Sequence, residues 1–249
     1  MKKLNIIRLL LIAVISLLLS TPALSNQQGN YITLETDSKQ SFRVYLTGPM
    51  DAHRGILLIH GWLGLNEDIE VLADKFGKVG YRAMAIDLYN GEVASNPRDA
   101  KLLMISVKQP DANAKYSAAL KALAAPGRKL ATIGWSYGGS QALHATLSAP
   151  ELVSATVSYY PYGKMISNKK TLAPMQGPIL IQVGNEDFAF TPEKLAQYKV
   201  DIKNAGKILE VQSYNAKHSF GRPNGKNYNQ TAQELAEKST YQFLDMHLK

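Results

Sequence analysis

The sequence predicts an α/β fold: a mostly parallel central sheet, opened by an N-terminal antiparallel hairpin and covered by helices on both faces. Three observations lead there. Short apolar segments alternate with longer segments of helical periodicity, the pattern in which crossover helices join parallel strands. With 249 residues and 45% hydrophobic content, the chain can bury one α/β domain well and is too small for two comfortable ones. One strand-to-helix junction, Gly134-Trp135-Ser136-Tyr137-Gly138-Gly139, places glycines two residues before and two after a serine, which marks a turn too tight for a side chain at either place.

The first 25 residues are expected to lie outside this domain. Lys2, Lys3 and Arg8 precede an apolar run from Leu9 to Leu19, then Pro22 and the small-residue exit Ala23-Leu24-Ser25. That order is the order of a secretory signal peptide. Cleavage after Ser25 leaves residues 26–249 as a single domain, periplasmic or secreted. The run is too short for a comfortable span and no later stretch approaches about 20 apolar residues, so no stable membrane association is expected after cleavage.

Tyr31–Glu35 and Phe42–Leu46 alternate apolar with polar residues around the turn at residues 36–40, as a hairpin at the edge of a sheet does. Gly55–Ile59, Tyr81–Ile86, Leu130–Ile133, Val153–Tyr159, Ile179–Val183 and Ile208–Tyr214 are expected as buried strands. Between them run helical patterns at Asp68–Val79, Arg98–Val107, Asn113–Ala124, Ser140–Ser148, Pro192–Asn204 and Gln230–His247. Thr191-Pro192 is a capped first-turn proline, and Gly206 is a C-terminal stop. The final helix is expected to bury Leu235, Ala236, Phe243 and Met246. The connection after Val153–Tyr159 is short, so no large cap domain is expected, only a local wall from Pro161 to Met175. Tyr159, Tyr160 and Tyr162 stand beside it as possible substrate contacts or packing residues.

Charge and cysteine content exclude several functions. Without Lys2, Lys3 and Arg8, the formal charge of +8 falls to +5, and the remaining lysines are scattered rather than clustered. A nucleic-acid surface is therefore not expected. No cysteine is present, which removes disulfides and lipid attachment to an N-terminal cysteine. His53, His144 and His247 have no second histidine or acid at a metal-ligand spacing, so neither a metal nor a cofactor is predicted.

The serine junction has the form of a nucleophile elbow, in which the hydroxyl projects from the strand end and the following helix N-terminus faces developing negative charge. Such a serine needs a histidine base and an acid, each after a later strand. Asp187 follows Ile179–Val183 and His218 follows the last strand, both in the required order. Asp187 is preferred to Glu186 because it lies further into the loop. Two N–H donors must hold the oxyanion: Tyr137 follows the serine, and Trp62 stands in the loop His60-Gly61-Trp62-Leu63-Gly64-Leu65-Asn66 after the first parallel strand. His60, at a strand end before glycine, is expected to bond loop backbone rather than act as base or ligand.

In order along the chain, Gly64-Leu65-Asn66, Asp87-Leu88-Tyr89, the Trp-x-x-Gly-Gly elbow, Gly184-x-x-Asp187 and His218-Ser219-Phe220 resemble the dienelactone hydrolase family of the α/β-hydrolase fold. The resemblance covers nearly all of residues 26–249. In that family a cysteine usually stands at Ser136, and a glutamate that helps control the thiol stands at Gly61. The two departures agree, because a hydroxyl needs a histidine base and has no use for a thiol-controlling carboxylate. The resemblance also implies that Arg222, four residues beyond His218, holds a substrate carboxylate; Arg98 or Lys101 occupies the region of a second family arginine. The resemblance thus implies the fold and the triad, while the residues themselves are read as an exported serine hydrolase, expected to be a monomer, that cleaves small carboxylic esters or lactones, anionic ones included. A peptidase or acyltransferase on the same residues, or a non-catalytic binding protein on the same fold, are the alternatives.

Overall fold

A computed structural model describes residues 28–249; the signal-peptide expectation lies outside the described residues. Strands β1 (Asn30–Glu35) and β2 (Ser41–Thr47) form the expected hairpin, with Tyr31 opposite Tyr45 and Thr33 opposite Arg43. There follow β3 (Arg54–Ile59), α1 (Glu67–Lys78), β4 (Tyr81–Ile86), α2 (Pro97–Ser106), α3 (Gln109–Leu123), β5 (Lys129–Trp135) and α4 (Tyr137–Ser148). The chain continues through β6 (Val153–Tyr159), α5 (Lys169–Leu172), β7 (Ile179–Glu186), α6 (Pro192–Asn204), β8 (Leu209–Lys217) and α7 (Gln230–His247). Among the described residues the eight strands form one sheet, in the order β1-β2-β4-β3-β5-β6-β7-β8. The pairings of β2 with β1 and β4 are antiparallel, and all others are parallel.

The two-residue period of a strand places helices on both faces. In β3, Ile56 and Leu58 point into a core shared with Ile69, Ala73 and Phe76 of α1 and Ala236 and Phe243 of α7. Leu57 and Ile59 point the other way, against Ala112, Tyr116 and Leu120 of α3 and Ala142 and Ala145 of α4. A third cluster packs Leu195, Tyr198 and Ile202 of α6 on Ile179, Ile181 and Val183 of β7. The parallel strands all point their carboxyl ends at one rim, where open α/β sheets bind ligands.

Two expectations about burial need correction. Ile208–Tyr214 was expected to be a buried strand, but β8 starts at Leu209 and forms the open edge of the sheet; Ile208 is exposed and Tyr214 half-buried. In α7, Leu235 and Met246 are exposed. The buried stripe is Ala232, Gln233, Ala236, Thr240, Phe243 and Leu244, which recur at the threes and fours of one helix face. A threonine fits in that stripe because its hydroxyl is 2.7 Å from the Tyr159 hydroxyl and accepts from Gln182 Nε2 at 3.1 Å. Burying a polar group is tolerable only with such partners. The short α5, capped by Asn168, lies within the expected wall; Met165, Leu172 and Met175 pack there on the α6 side.

Candidate active site

Between β5 and α4 lies a single residue, Ser136, with φ +55° and ψ −115°, a conformation that a non-glycine residue adopts only when its surroundings impose it. A Cβ on Gly134 would collide with the Gly138 carbonyl oxygen, and one on Gly138 with the carbonyl oxygens of Ile59 and His60. Glycine at both places is therefore a packing requirement, as the sequence pattern suggested. Ser136 N donates to Tyr159 O at 3.0 Å, and Ser136 O accepts from Gly139 N, Ser140 N and Tyr162 N. This backbone frame holds the serine above the rim.

The structure brings together the three side chains that the sequence singled out. Ser136 Oγ lies 2.9 Å from His218 Nε2, and His218 Nδ1 lies 3.0 and 2.9 Å from Asp187 Oδ1 and Oδ2. Asp187 Oδ1 also accepts from the N–H groups of Ala189 and Phe190 at 2.7 and 3.1 Å. Since Asp187 is surrounded by donors, Nδ1 carries the imidazole proton, and Nε2 is left to accept from the serine hydroxyl. Asp187 is only 3% exposed and His218 6%, so water hardly competes for these bonds.

Local backbone features explain the placement. The ladder between β7 and β8 shifts register between Gly184 and Glu186, where a Cβ on Gly184 would strike the Ala216 carbonyl. Asp187 N closes a turn onto Gly184 O at 3.1 Å, turning the Asp187 side chain inward and leaving Glu186 exposed. After β8 the His218 loop is pinned by the buried Phe220, by Asn227 Nδ2 donating to His218 O at 3.0 Å, and by Asn229 N donating to Phe220 O at 3.0 Å.

Beside Ser136 lies a cleft walled by Trp62, Ile69, Leu72, Trp135 and Tyr160, with Asp68 and Arg222 at its charged end. The N–H of Tyr137, first residue of α4, has no carbonyl four residues back in the helix to bond. Neither it nor the Trp62 N–H makes a hydrogen bond to another described residue. Rings crowd His218: Tyr160 at 5.4 Å, Tyr162 at 6.1 Å and Phe188 at 5.1 Å between centroids. Phe188, 68% exposed, was not singled out in the sequence, although its place after Asp187 was visible. Tyr159 packs in the core instead. Burial pushes the Tyr137 phenol up to about 12 and the Tyr160 phenol higher still, so both remain neutral donors near neutral pH.

Arg222 lies in the cleft, but not alone. Its Nε is 3.5 Å from Asp68 Oδ2, and Asn224 Nδ2 donates to Asp68 Oδ1 at 3.4 Å. Sequence reasoning missed Asp68, which looked like an ordinary acid in the first turn of α1, favourable to the helix dipole. Arg98 and Lys101 are exposed on α2 and do not line the cleft. His60 is fully buried and bonded to loop backbone. Among the described residues no three His, Cys, Asp or Glu side chains gather as a metal would need. No described helix is long and apolar enough to cross a membrane.

Comparison with known proteins bears on the family and the fold. The model of the dienelactone hydrolase family matches residues 42–248. A relative from Aquifex pyrophilus, named protein usf, is 29% identical over 189 residues, spanning 72% of this chain and 81% of its own. A protein from a Bradyrhizobium species, named probable 2-oxo-3-(5-oxofuran-2-ylidene)propanoate lactonase, is 26% identical over 84% of this chain and 91% of its own. Among solved structures, a dienelactone hydrolase-like promiscuous phosphotriesterase from metagenomic libraries superposes with a TM-score of 0.73. It covers 88% of this chain and 99% of its own at 18% identity, a likeness of fold.

Proposed function

The chain belongs to the dienelactone hydrolase family, and from that premise we propose that it is an exported serine hydrolase that cleaves small carboxylic esters or lactones through an acyl-enzyme on Ser136. The carrying observation is the unbroken chain from Ser136 Oγ through the His218 ring to Asp187, with its bonds at 2.9 to 3.0 Å. The serine oxygen attacks the carbonyl carbon while its proton passes to His218 Nε2. Asp187 holds the imidazole in the tautomer that can accept this proton and stabilises the cation that results. The carbonyl oxygen, now negative, is held by the N–H groups of Trp62 and Tyr137.

The tetrahedral species collapses, the carbon–oxygen bond to the leaving group breaks, and His218 returns the proton to that oxygen. In a lactone the departing hydroxyl stays tethered to the acyl group. Water then repeats the sequence and releases the acid, regenerating Ser136. The serine at the nucleophile position, with glycine at position 61, favours this general-base route over one that stores a thiolate. The name of the Bradyrhizobium relative, a lactonase, is consistent with the ester or lactone class.

Arg222 favours an anionic substituent on the acyl part only insofar as that substituent displaces Asp68. Export rests on the basic, apolar and small-residue order of residues 1–25. Mass spectrometry of the protein after fluorophosphonate treatment tests the nucleophile: one adduct on Ser136 is expected, and an adduct elsewhere overturns the assignment. Sequencing the N-terminus of protein recovered from the periplasm or medium tests export, with Asn26 as the expected first residue. Recovery of the uncleaved chain from the cytoplasm alone overturns it.

A further inference from the structure

We infer that His60 is a positioning residue of the oxyanion hole: by holding the Gly61 carbonyl, its imidazole turns the Trp62 N–H toward the reacting carbonyl oxygen. The inference rests on the reading of Trp62 as an oxyanion donor given above. His60 is fully buried at the end of β3, where its Nδ1 stands 2.7 Å from Gly61 O and its Nε2 3.2 Å from Leu88 N. A carbonyl only accepts and a backbone N–H only donates. The ring is therefore neutral, with its proton on Nδ1 and its Nε2 lone pair facing Leu88. Burial lowers the basicity of this imidazole, which favours the same neutral form.

The consequence follows from the planarity of the peptide. No cis bond occurs among the described residues, so the Gly61 C=O and the Trp62 N–H point in opposite directions in one plane. Fixing the carbonyl fixes the N–H. The Gly61 carbonyl is held from two sides, by His60 Nδ1 and by Gly64 N at 3.2 Å. The Trp62 N–H is consequently turned away from both and bonds no described residue, beside the cleft that Gly61 and Trp62 share with Ser136. Donation to the carbonyl also polarises the peptide and strengthens its N–H as a donor.

The imidazole is itself braced. Leu88 belongs to the turn after β4, where Asp87 accepts from Tyr89 N at 2.8 Å, Gly91 N at 2.6 Å and Arg43 Nε at 2.7 Å. The Tyr89 ring packs edge-on against His60 at 4.6 Å. An oxyanion donor works when it needs no reorganisation as charge develops, and this chain of bonds supplies that rigidity from outside the reacting groups.

Two variants separate the bonds. His60→Asn retains an amide N–H near the Nδ1 position, facing Gly61 O, and loses the contact with Leu88; His60→Gln retains an acceptor near Nε2 and loses the Gly61 contact. Kinetics on a small ester, the inhibition constant of a trifluoromethyl ketone, which forms a tetrahedral adduct, and melting temperature are measured for both and for His60→Leu. We expect His60→Gln and His60→Leu to lose about 10- to 100-fold in kcat, short of the roughly 10²–10³ for deleting a donor outright. KM should stay unchanged, and the ketone should weaken in proportion to kcat. His60→Asn should stay within about 3-fold of the parent, even where it melts earlier.

The inference is overturned if His60→Gln works as well as the parent, or if kcat among the variants follows melting temperature alone. A parallel Ser136→Ala control keeps the two readings distinct. Turnover that survives in that control defeats the proposed function, whereas turnover lost there but indifferent to His60 defeats this inference alone.

Discussion

The two ends of the cleft are built differently. At the Ser136 end, each polar side chain is committed to a single arrangement: Asp187 accepts from His218 and two backbone N–H groups, His218 faces Ser136, and both are nearly inaccessible. At the other end Arg222 has a side chain 40% exposed, one long ion pair to Asp68, and a buried Nε with no hydrogen bond among the described residues. Rigidity suits the end that must match a transition state, because orientation there is settled before charge develops. A loosely held cation suits recognition, because its partner can be exchanged for a substrate at little cost.

The largest expected effect breaks the rigid end. Ser136→Ala should reduce kcat by up to about 10⁶-fold, as removal of a nucleophile from a cooperating set does, and should abolish fluorophosphonate labelling. Normal turnover by this variant would remove the serine mechanism altogether. The next effect sharpens the choice of acid. Asp187→Asn preserves shape but favours the wrong imidazole tautomer, and should lower kcat by up to about 10⁴-fold. Glu186→Gln, at an exposed position, should change kcat little. A greater loss from the Glu186 variant would reverse the assignment.

The same contrast explains what was legible in the sequence. The rigid end depends on backbone conformations that few residue types tolerate, and so it leaves marks such as Gly134, Gly138 and Gly184, whose added methyl groups would strike carbonyl oxygens. The strands, most helices and the order of Ser136, Asp187 and His218 followed from those marks and from periodicity. What stayed hidden depends on tertiary partners. The buried face of α7 includes Thr240, which only its bonds to Tyr159 and Gln182 make suitable for a core, while Leu235 and Met246 looked better by composition. The exposed edge of β8 follows from its place in the sheet, which a single strand's pattern does not encode. Asp68 is a helix-start acid by sequence, and only the approach of the loop after β8 makes it the partner of Arg222.

The smallest expected effect tests the loose end, and it is diagnostic by its sign. If Arg222 serves anionic substrates, Asp68 competes with them for the same guanidinium. Asp68→Asn should then raise kcat/KM for an ester bearing a carboxylate by about 2- to 5-fold, the scale of releasing a half-exposed ion pair worth roughly 0.2–1 kcal/mol. The neutral analogue should be unaffected. Arg222→Ala should lower kcat/KM for the anionic ester by about 10-fold or less, mostly through KM, because the contact is as strong in the ground state as in the transition state. The two changes should also be non-additive: removing Arg222 should cost more in the Asp68→Asn background than in the parent, since only there is the arginine free to hold the substrate. Equal losses on anionic and neutral esters would mean instead that Arg222 and Asp68 brace the His218 loop against α1. The cleft would then have no anion-selective end, and the contrast with the Ser136 end would be one of exposure alone.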